Sequence, residues 1–276
     1  MDLNKEIKSY LTWSPVSLVI RETCRIFALK TYLEKHSTCL TILDVGCGDG
    51  KWWQFINTSQ NYQIDGIDIN VKEVQKAREF IKAEVMDISS SDFRSTRERY
   101  DLVIGNCSME HIPNIDQALS NIARLLKNDS GLVIFVPTPG WAMKGKSLRF
   151  LNDISPRLSM MYSGMINGFF QHWHLYHYQI WSHILERNGF VVVDVKGLGS
   201  ARLDFLFRLF LPLSFISYLV KIFSGNYLIF YLKWLVPDKI FSGFAMMLNS
   251  LVCQSFKSAD DVEEIFEYMI VAKKLV

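Results

Sequence analysis

The stretch Ile42-Leu43-Asp44-Val45-Gly46-Cys47-Gly48-Asp49-Gly50 decides how the rest of this 276-residue chain is read. The apolar run from Leu40 to Val45 reads as a buried strand, the glycines as a tight turn, and Lys51-Trp52-Trp53-Gln54-Phe55-Ile56 as the start of a helix. Glycines in that place let the main chain approach a ligand without side-chain collision, and the following helix presents unpaired amides and the positive end of its dipole. Such a turn suits a carboxylate or phosphate. A nicotinamide or flavin fingerprint needs its third glycine one position later, where Lys51 stands. Asp44, at the strand end, suits a cationic ligand group and opposes a pyrophosphate.

Further strand-like runs follow at Tyr62 to Ile69, Asp101 to Gly105, Leu132 to Val136, Phe190 to Lys196 and Glu267 to Ala272. Helical patterns separate them at Val71 to Ile81, Asp116 to Leu126 and Gln179 to Asn188. Strands alternating with helices predict an α/β fold: a Rossmann-like, doubly wound, mostly parallel sheet with helices on both faces. Ahead of it, residues 1–39 form an N-terminal helical arm, with Ser14 as cap, Pro15 at the first helical position and an end near His36. The cofactor-binding domain takes 40–197 and 259–276. Within it 137–177, rich in Pro, Gly, Met and aromatics, is placed as a loop lid over the sheet edge. Residues 198–258 form an apolar helical insertion before the last strand.

Composition limits the alternatives. A hydrophobic fraction of 49%, 21% charged residues and a mean hydropathy of +0.11 describe a folded chain with a greasy part. The formal charge of +2, from 30 basic and 28 acidic residues, gives no reason to expect a nucleic-acid partner, and no basic stripe is interleaved with aromatics. Five cysteines without CxxC spacing favour free thiols in a reducing compartment. Met1 to Lys8 show no secretory pattern, so the cytoplasm is the expected location.

With these motifs in order, the sequence resembles the class I S-adenosylmethionine-dependent methyltransferases, in which Asp-x-Gly-x-Gly-x-Gly after the first strand holds the methionine part of the cofactor. That resemblance implies S-adenosyl-L-methionine as cofactor and gives Asp44, Gly46, Gly48 and Gly50 to its binding. Ile64-Asp65-Gly66-Ile67-Asp68-Ile69 looks like the family's second strand, whose terminal acid meets the ribose hydroxyls; the role carries to Asp68, whereas Asp65 lies inside the strand. Ala83-Glu84-Val85-Met86-Asp87-Ile88 is similar to the third-strand end, which assigns Met86 to the adenine ring and Asp87 to its amino group. Tyr100 through Ile112 looks like the fourth strand and the Glu-His element after it, which adds Asn106 to the cofactor residues. His172 resembles the family's lid histidine before a Gly-Phe strand.

Methyl transfer from a sulfonium needs alignment above all, and a base only when the nucleophile is a hydroxyl. His111 is the first candidate base, since it follows the fourth strand and an imidazole titrates near neutral pH. His172 is the second catalytic candidate, and His174 stays open as an alternative. His172, His174, His177 and His183 also invite a metal reading, with His174 and His177 neighbours on a helix, but no Cys or acid ligand stands close in sequence and no metal is assigned. O-methylation of a small-molecule, lipid or lipid-linked glycan acceptor is favoured, with N- and C-methylation left open. A wholly soluble metabolite as acceptor, and a non-catalytic S-adenosylmethionine-binding subunit using the apolar insertion as a partner surface, are left open as well. Packing is the reading for at least one of Trp52 and Trp53, and neither is assigned to the site.

In the insertion, Asp204 and Arg208 form a salt-bridge-compatible pair, and Pro212 is expected to break the helix into two short amphipathic pieces. The uncharged run Ile240 to Phe256 falls short of a spanning segment. The strands on either side share one sheet, so the chain crosses a bilayer an even number of times or not at all. A two-span hairpin would carry Lys221, Lys233 and Lys239 to the far side, against the positive-inside tendency. Helices lying in a peripheral membrane surface are therefore favoured, with a small-molecule or lipid-like substrate. A helical cap, a dimer interface and a substrate tunnel stay open as other uses.

Calorimetric titration is expected to show binding of S-adenosylmethionine and S-adenosylhomocysteine and none of NAD. Binding of NAD alone would reverse the reading of the Lys51 position.

Overall fold

The computed structural model describes residues 2–35, 39–56, 62–93, 99–143, 146–261 and 264–275. Two helices open the chain, α1 (Asn4–Leu11) and α2 (Val16–Leu33). The first half of the domain follows as β1 (Thr41–Val45), α3 (Trp53–Ile56), β2 (Gln63–Asp68), α4 (Val71–Ala77), β3 (Lys82–Val85), β4 (Tyr100–Asn106), α5 (Ile115–Leu125) and β5 (Leu126–Pro137). Then come α6 (Lys146–Ile154), α7 (Pro156–Phe169), α8 (Tyr178–Arg187), β6 (Phe190–Leu198), α9 (Ala201–Ser224), α10 (Leu228–Leu232), α11 (Asp238–Val252), β7 (Phe256–Lys257) and β8 (Glu267–Lys274).

The strands form one eight-stranded sheet in the order β3-β2-β1-β4-β5-β8-β6-β7. Neighbours from β3 to β5 pair in parallel, whereas β8 runs antiparallel between β5 and β6. This is the expected Rossmann-like architecture. Strand order reverses between β1 and β4, so the loops leaving their carboxyl ends diverge and open a crevice there. The strands bury both faces: Ile42, Leu102 and Phe135 pack into one core, and Val103, Leu132 and Ile270 into the other.

Local expectations are corrected at four places. Ser14 does not cap α2: Pro15 takes the cap position with extended backbone and no side-chain cap bond, while Ser14 is buried. The arm holds two helices, and its expected end at His36 lies outside the described residues. The segment 137–177 is largely helical, since a Ser155 side chain caps α7 and Pro156 starts it. Pro212 does not break the insertion. An interior proline costs about 3 kcal/mol, yet α9 runs unbroken because its inner face is fixed to α2: the Ser17 hydroxyl donates to Phe207 O and the Ser214 hydroxyl to Ser17 Oγ, both at 2.9 Å. The short edge strand β7 was also unforeseen, its two residues being too few for alternation to show.

One buried ion cluster joins arm and sheet. Glu267, at the start of β8, is fully buried and faces Arg21 and Arg25, one turn apart on α2. Arg21 Nε donates to Glu267 Oε1 at 2.6 Å and Arg25 Nη1 donates to the same oxygen at 3.3 Å. Because Glu267 stands opposite Pro137 in the ladder, this cluster lies at the carboxyl edge of the parallel strands.

Removing one partner of a buried ion pair leaves the other charge uncompensated. Glu267→Ala is expected to lower the unfolding free energy by about 3–5 kcal/mol in urea denaturation. Asp238→Ala, which breaks the exposed pair with Lys8, should cost less than about 1 kcal/mol.

Candidate active site

A groove of about 330 Å³ opens at the crevice, lined among others by Gly46, Asp68, Met86, Asp87, Cys107 and His111. Five of the residues singled out in the sequence therefore share one wall: Gly46, Asp68, Met86, Asp87 and His111. Asp44, Gly48, Gly50, Asn106 and His172 lie outside that lining, in the turn, at the strand ends and in the lid.

The glycine turn needs its glycines for different reasons. Gly46, at φ +74°, lies against Ser108, and a Cβ there would sit 2.4 Å from Ser108 Cβ. Gly50, at φ +68°, packs on Ala77. Gly48, at φ +54°, faces open space, and its amide donates to Asp68 Oδ2 at 3.0 Å. Asp68 Oδ1 accepts the Asn70 amide, so this carboxylate also shapes the loop that its ligand would meet. Asp87 Oδ1 accepts both the amide and the hydroxyl of Ser89, which orients it at the groove.

Asp44 is fully buried. Its Oδ2 accepts the indole N–H groups of Trp52 at 3.0 Å and Trp53 at 2.7 Å, while Oδ1 has no partner. Burial pushes its carboxyl up to about 6, against the two indole hydrogen bonds, which favour the anion, while nearby Asp68 adds to the rise. Asn106, at the end of β4, likewise buries an Oδ1 with no donor. Two orphaned acceptor atoms at adjacent strand ends suit a ligand that brings N–H donors and positive charge, as the α-ammonium of S-adenosylmethionine does. The residues present fit that cofactor. Trp52 and Trp53 do pack in the core, and in addition their indole N–H groups hold Asp44 in place. A paired indole donor directly after a glycine turn and an orphan aspartate was the available signal.

The two histidines meet. His111 and His172 stack with ring centroids 5.2 Å apart and an interplanar angle of 17°. His111 Nδ1 lies 3.2 Å from the Gln171 carbonyl, which can only accept, so Nδ1 carries the proton and Nε2 keeps a lone pair. His172 Nδ1 accepts the Trp141 indole N–H at 3.2 Å, so in the neutral ring its Nε2 carries the proton. The pair thus presents one acceptor and one donor. Loss of hydration holds His111 below the ordinary histidine value, against the Gln171 bond, with the Arg21 charge adding to the depression. His172 falls to about 3, through desolvation first and then the charges of His111 and Arg21.

Glu110 stands beneath them, buried, with Oε1 3.8 Å from His111 Nε2 and Oε2 unpartnered. Burial pushes its carboxyl up to about 8, so it is largely neutral at pH 7. Glu110, His111 and His172 place one ligand-type atom each within 4.8 Å of one another. A cation there competes with the Trp141 bond, because neutral His172 has its one lone pair committed to the indole. The other described histidines do not join them. His174 and His177 lie in an extended segment before α8, not on a helix; His174 Nε2 contacts Ile112 O and His183 pairs with Glu186 on the surface.

The arm reaches the site through two side chains that the sequence did not single out, Arg21 and Arg25. Arg21 stacks its guanidinium 5.0 Å from the Trp141 ring centroid, and Arg25 donates to the Cys107 thiol in the groove wall. Cys107 adopts φ +52°, a strained setting for a non-glycine residue, directly after β4.

Gly48→Leu is expected to fold with a loss of about 1–2 kcal/mol for the left-handed backbone and to lose S-adenosylhomocysteine binding in calorimetry. Gly46→Ala should instead unfold at a lower temperature, because its Cβ has no room.

The methyltransferase-domain family model matches residues 20–195, well over half of the chain. An O-methyltransferase of Pyrenophora dematioidea is 32% identical over 102 residues, which span 34% of this chain and 38% of that protein. The crystal structure of a SAM-dependent methyltransferase from Archaeoglobus fulgidus superposes with a TM-score of 0.51 at 19% identity, covering 94% of this chain and 100% of that one. The [4+2]-cyclase SpnF superposes with a TM-score of 0.54 at 16% identity, covering 92% and 81%. These two likenesses concern the fold, and a cyclase among them shows that the fold alone does not fix a reaction. By its family-model match over most of its length, the chain belongs to the methyltransferase-domain family of class I, S-adenosylmethionine-dependent proteins.

Proposed function

We propose that this protein methylates a hydroxyl of a small-molecule or lipid-like acceptor, with His111 as general base. The observation that carries this reading is the fixed tautomer of His111, which leaves a lone pair on Nε2 of a ring that lines the cofactor groove. Asp44, Asn106, the glycine turn, Asp68, Met86 and Asp87 would hold S-adenosylmethionine, which supplies an activated methyl group and departs as a neutral thioether.

The chain's own residues then have two tasks. Alignment of the acceptor oxygen with the methyl group is worth about 7–11 kcal/mol in favourable cases. Uptake of the hydroxyl proton by His111 Nε2 adds about 10²–10⁴-fold. His172 fits a supporting role, since its Nε2–H is a donor and its ring packs on His111. Arg21, over the Trp141 ring, supplies positive charge that favours an oxygen nucleophile on its way to an oxyanion. The partial relative named as an O-methyltransferase supports oxygen as the acceptor atom.

The base acts when neutral. Because His111 is depressed below the ordinary histidine value of about 6.5, kcat/KM is expected to rise with pH along an acid limb centred below that value and to be flat at neutral pH. His111→Ala should remove the limb and lower kcat/KM by about 10²–10⁴-fold with S-adenosylhomocysteine affinity retained. The assay follows labelled methyl transfer into aqueous and lipid extracts and then into the acceptor found. Unchanged turnover in the variant would remove His111 from the chemistry.

A further inference from the structure

Helix α9 is built inside out. Its buried positions are Leu203, Phe207, Ser214 and Ser217, and the two serines are hydrogen-bonded, Ser214 to Ser17 and Ser217 to the Leu228 amide. Its outward positions Phe205, Leu209, Leu213, Ile216 and Phe223 recur every three to seven residues and are all exposed. A helix that faces water carries the opposite arrangement. Among the described residues α9 is also the one helix long and apolar enough to cross a membrane, with a mean hydropathy of 1.7 and 17% of that window buried.

The fold keeps α9 flat against the domain. Its start follows β6, and the chain returns through α10 and α11 to β7, which pairs with the same β6. Its inner face is bonded to α2, which Glu267 pins to the sheet edge. The apolar face is therefore presented sideways, as in proteins that lie in one leaflet.

The lid helix shares this face. Phe169 of α7 touches the rings of Phe215 and Tyr218 on α9, both with centroids 5.6 Å away. Leu158, Met161, Met165 and Phe169 continue outward along α7 as an exposed stripe. The end of α7 holds the active-site turn: Asn167 O accepts the His172 amide at 3.1 Å, and Asn167 Oδ1 shares the Trp141 indole N–H with His172.

Charge identifies what the face meets. Between residues 201 and 252 the basic side chains are Arg202, Arg208, Lys221, Lys233 and Lys239. The acidic ones are only Asp204 and Asp238, and both are engaged in ion pairs, with Arg208 and Lys8. Arg208 turns inward to the carbonyls of Trp141 and Ala142, and Arg202, Lys221, Lys233 and Lys239 still leave this apolar segment a basic excess that matches anionic lipid headgroups over acyl chains. We infer that α7, α9, α10 and α11 form a one-leaflet docking surface for an anionic lipid bilayer, and that the lid helix leading to His172 is seated in it.

The test uses the whole chain with neither cofactor nor acceptor, so its result is independent of the methyl-transfer reading. The protein is expected to float with vesicles of equal parts phosphatidylcholine and phosphatidylglycerol, and not with phosphatidylcholine alone. Equal flotation on both would overturn the anionic assignment, and none on either would overturn the surface. The double variant Ile216→Glu with Phe223→Glu should remain unbound while keeping its thermal unfolding and S-adenosylhomocysteine affinity. Lys233→Ala and Lys239→Ala should each weaken partitioning by about five-fold. Hydroxyl-radical footprinting of the unaltered protein needs no variant: vesicles are expected to protect Met161 and Met165. Bound protein with those methionines unprotected would overturn the seating of the lid. A dimer in solution that the double variant converts to monomer would assign the face to a second copy instead.

Discussion

A carboxylate with no access to water cannot be left alone, and Glu267 is such a carboxylate. Its burial between β5 and β6 is affordable only with Arg21 and Arg25 beside it, since an uncompensated charge at that depth costs several kcal/mol. That requirement fixes α2 across the carboxyl edge of the sheet. Everything above the edge is then built on α2: α9 lies along it through Ser17 and Ser214, and Arg21 reaches the Trp141 ring that holds His172. The same cluster touches Cys107 at the groove wall, so arm, groove and lid meet at one buried charge.

The site consists of two halves with different physical characters. The cofactor half is pre-formed by backbone: three glycines with positive φ, the amide of Gly48 on Asp68, and an aspartate clamped by two indoles. The half proposed to meet the acceptor is made of side chains from distant segments, with the turn after β4 bound to the lid by main-chain bonds from Trp173 and His174 to Glu110 O. Those bonds bring His111 and His172 into one stack, and their unlike outer partners give the stack one accepting and one donating nitrogen. Two chemically identical side chains thereby acquire complementary roles.

The insertion adds a third surface whose polarity is reversed relative to water. Ser214 of α9 bonds to α2 and Ser217 to the start of α10, while Phe205, Leu209, Leu213, Ile216 and Phe223 face outward with the lid helix beside them.

Much of this protein was legible in the chain because it depends on local spacing. The alternation of strands and helices, the glycine turn after Val45, and the strand-end acids Asp68 and Asp87 all follow from residues close in sequence, and the sheet places them as read. The apolar excess of the insertion was equally plain, but the continuity of α9 through Pro212 was not, because a proline's local cost is outweighed only by contacts with α2, nearly two hundred residues away. Ser14 looked like a cap and became core for the same reason. Likewise no spacing rule links Arg21 to Glu267, Trp52 and Trp53 to an unpaired aspartate oxygen, or Gln171 to the tautomer of His111. Sequence determined which elements form and which groups could do chemistry. Tertiary structure decided which of those groups are buried, paired and turned toward one another, because desolvation and hydrogen-bond partners are properties of the assembled interior and not of the chain.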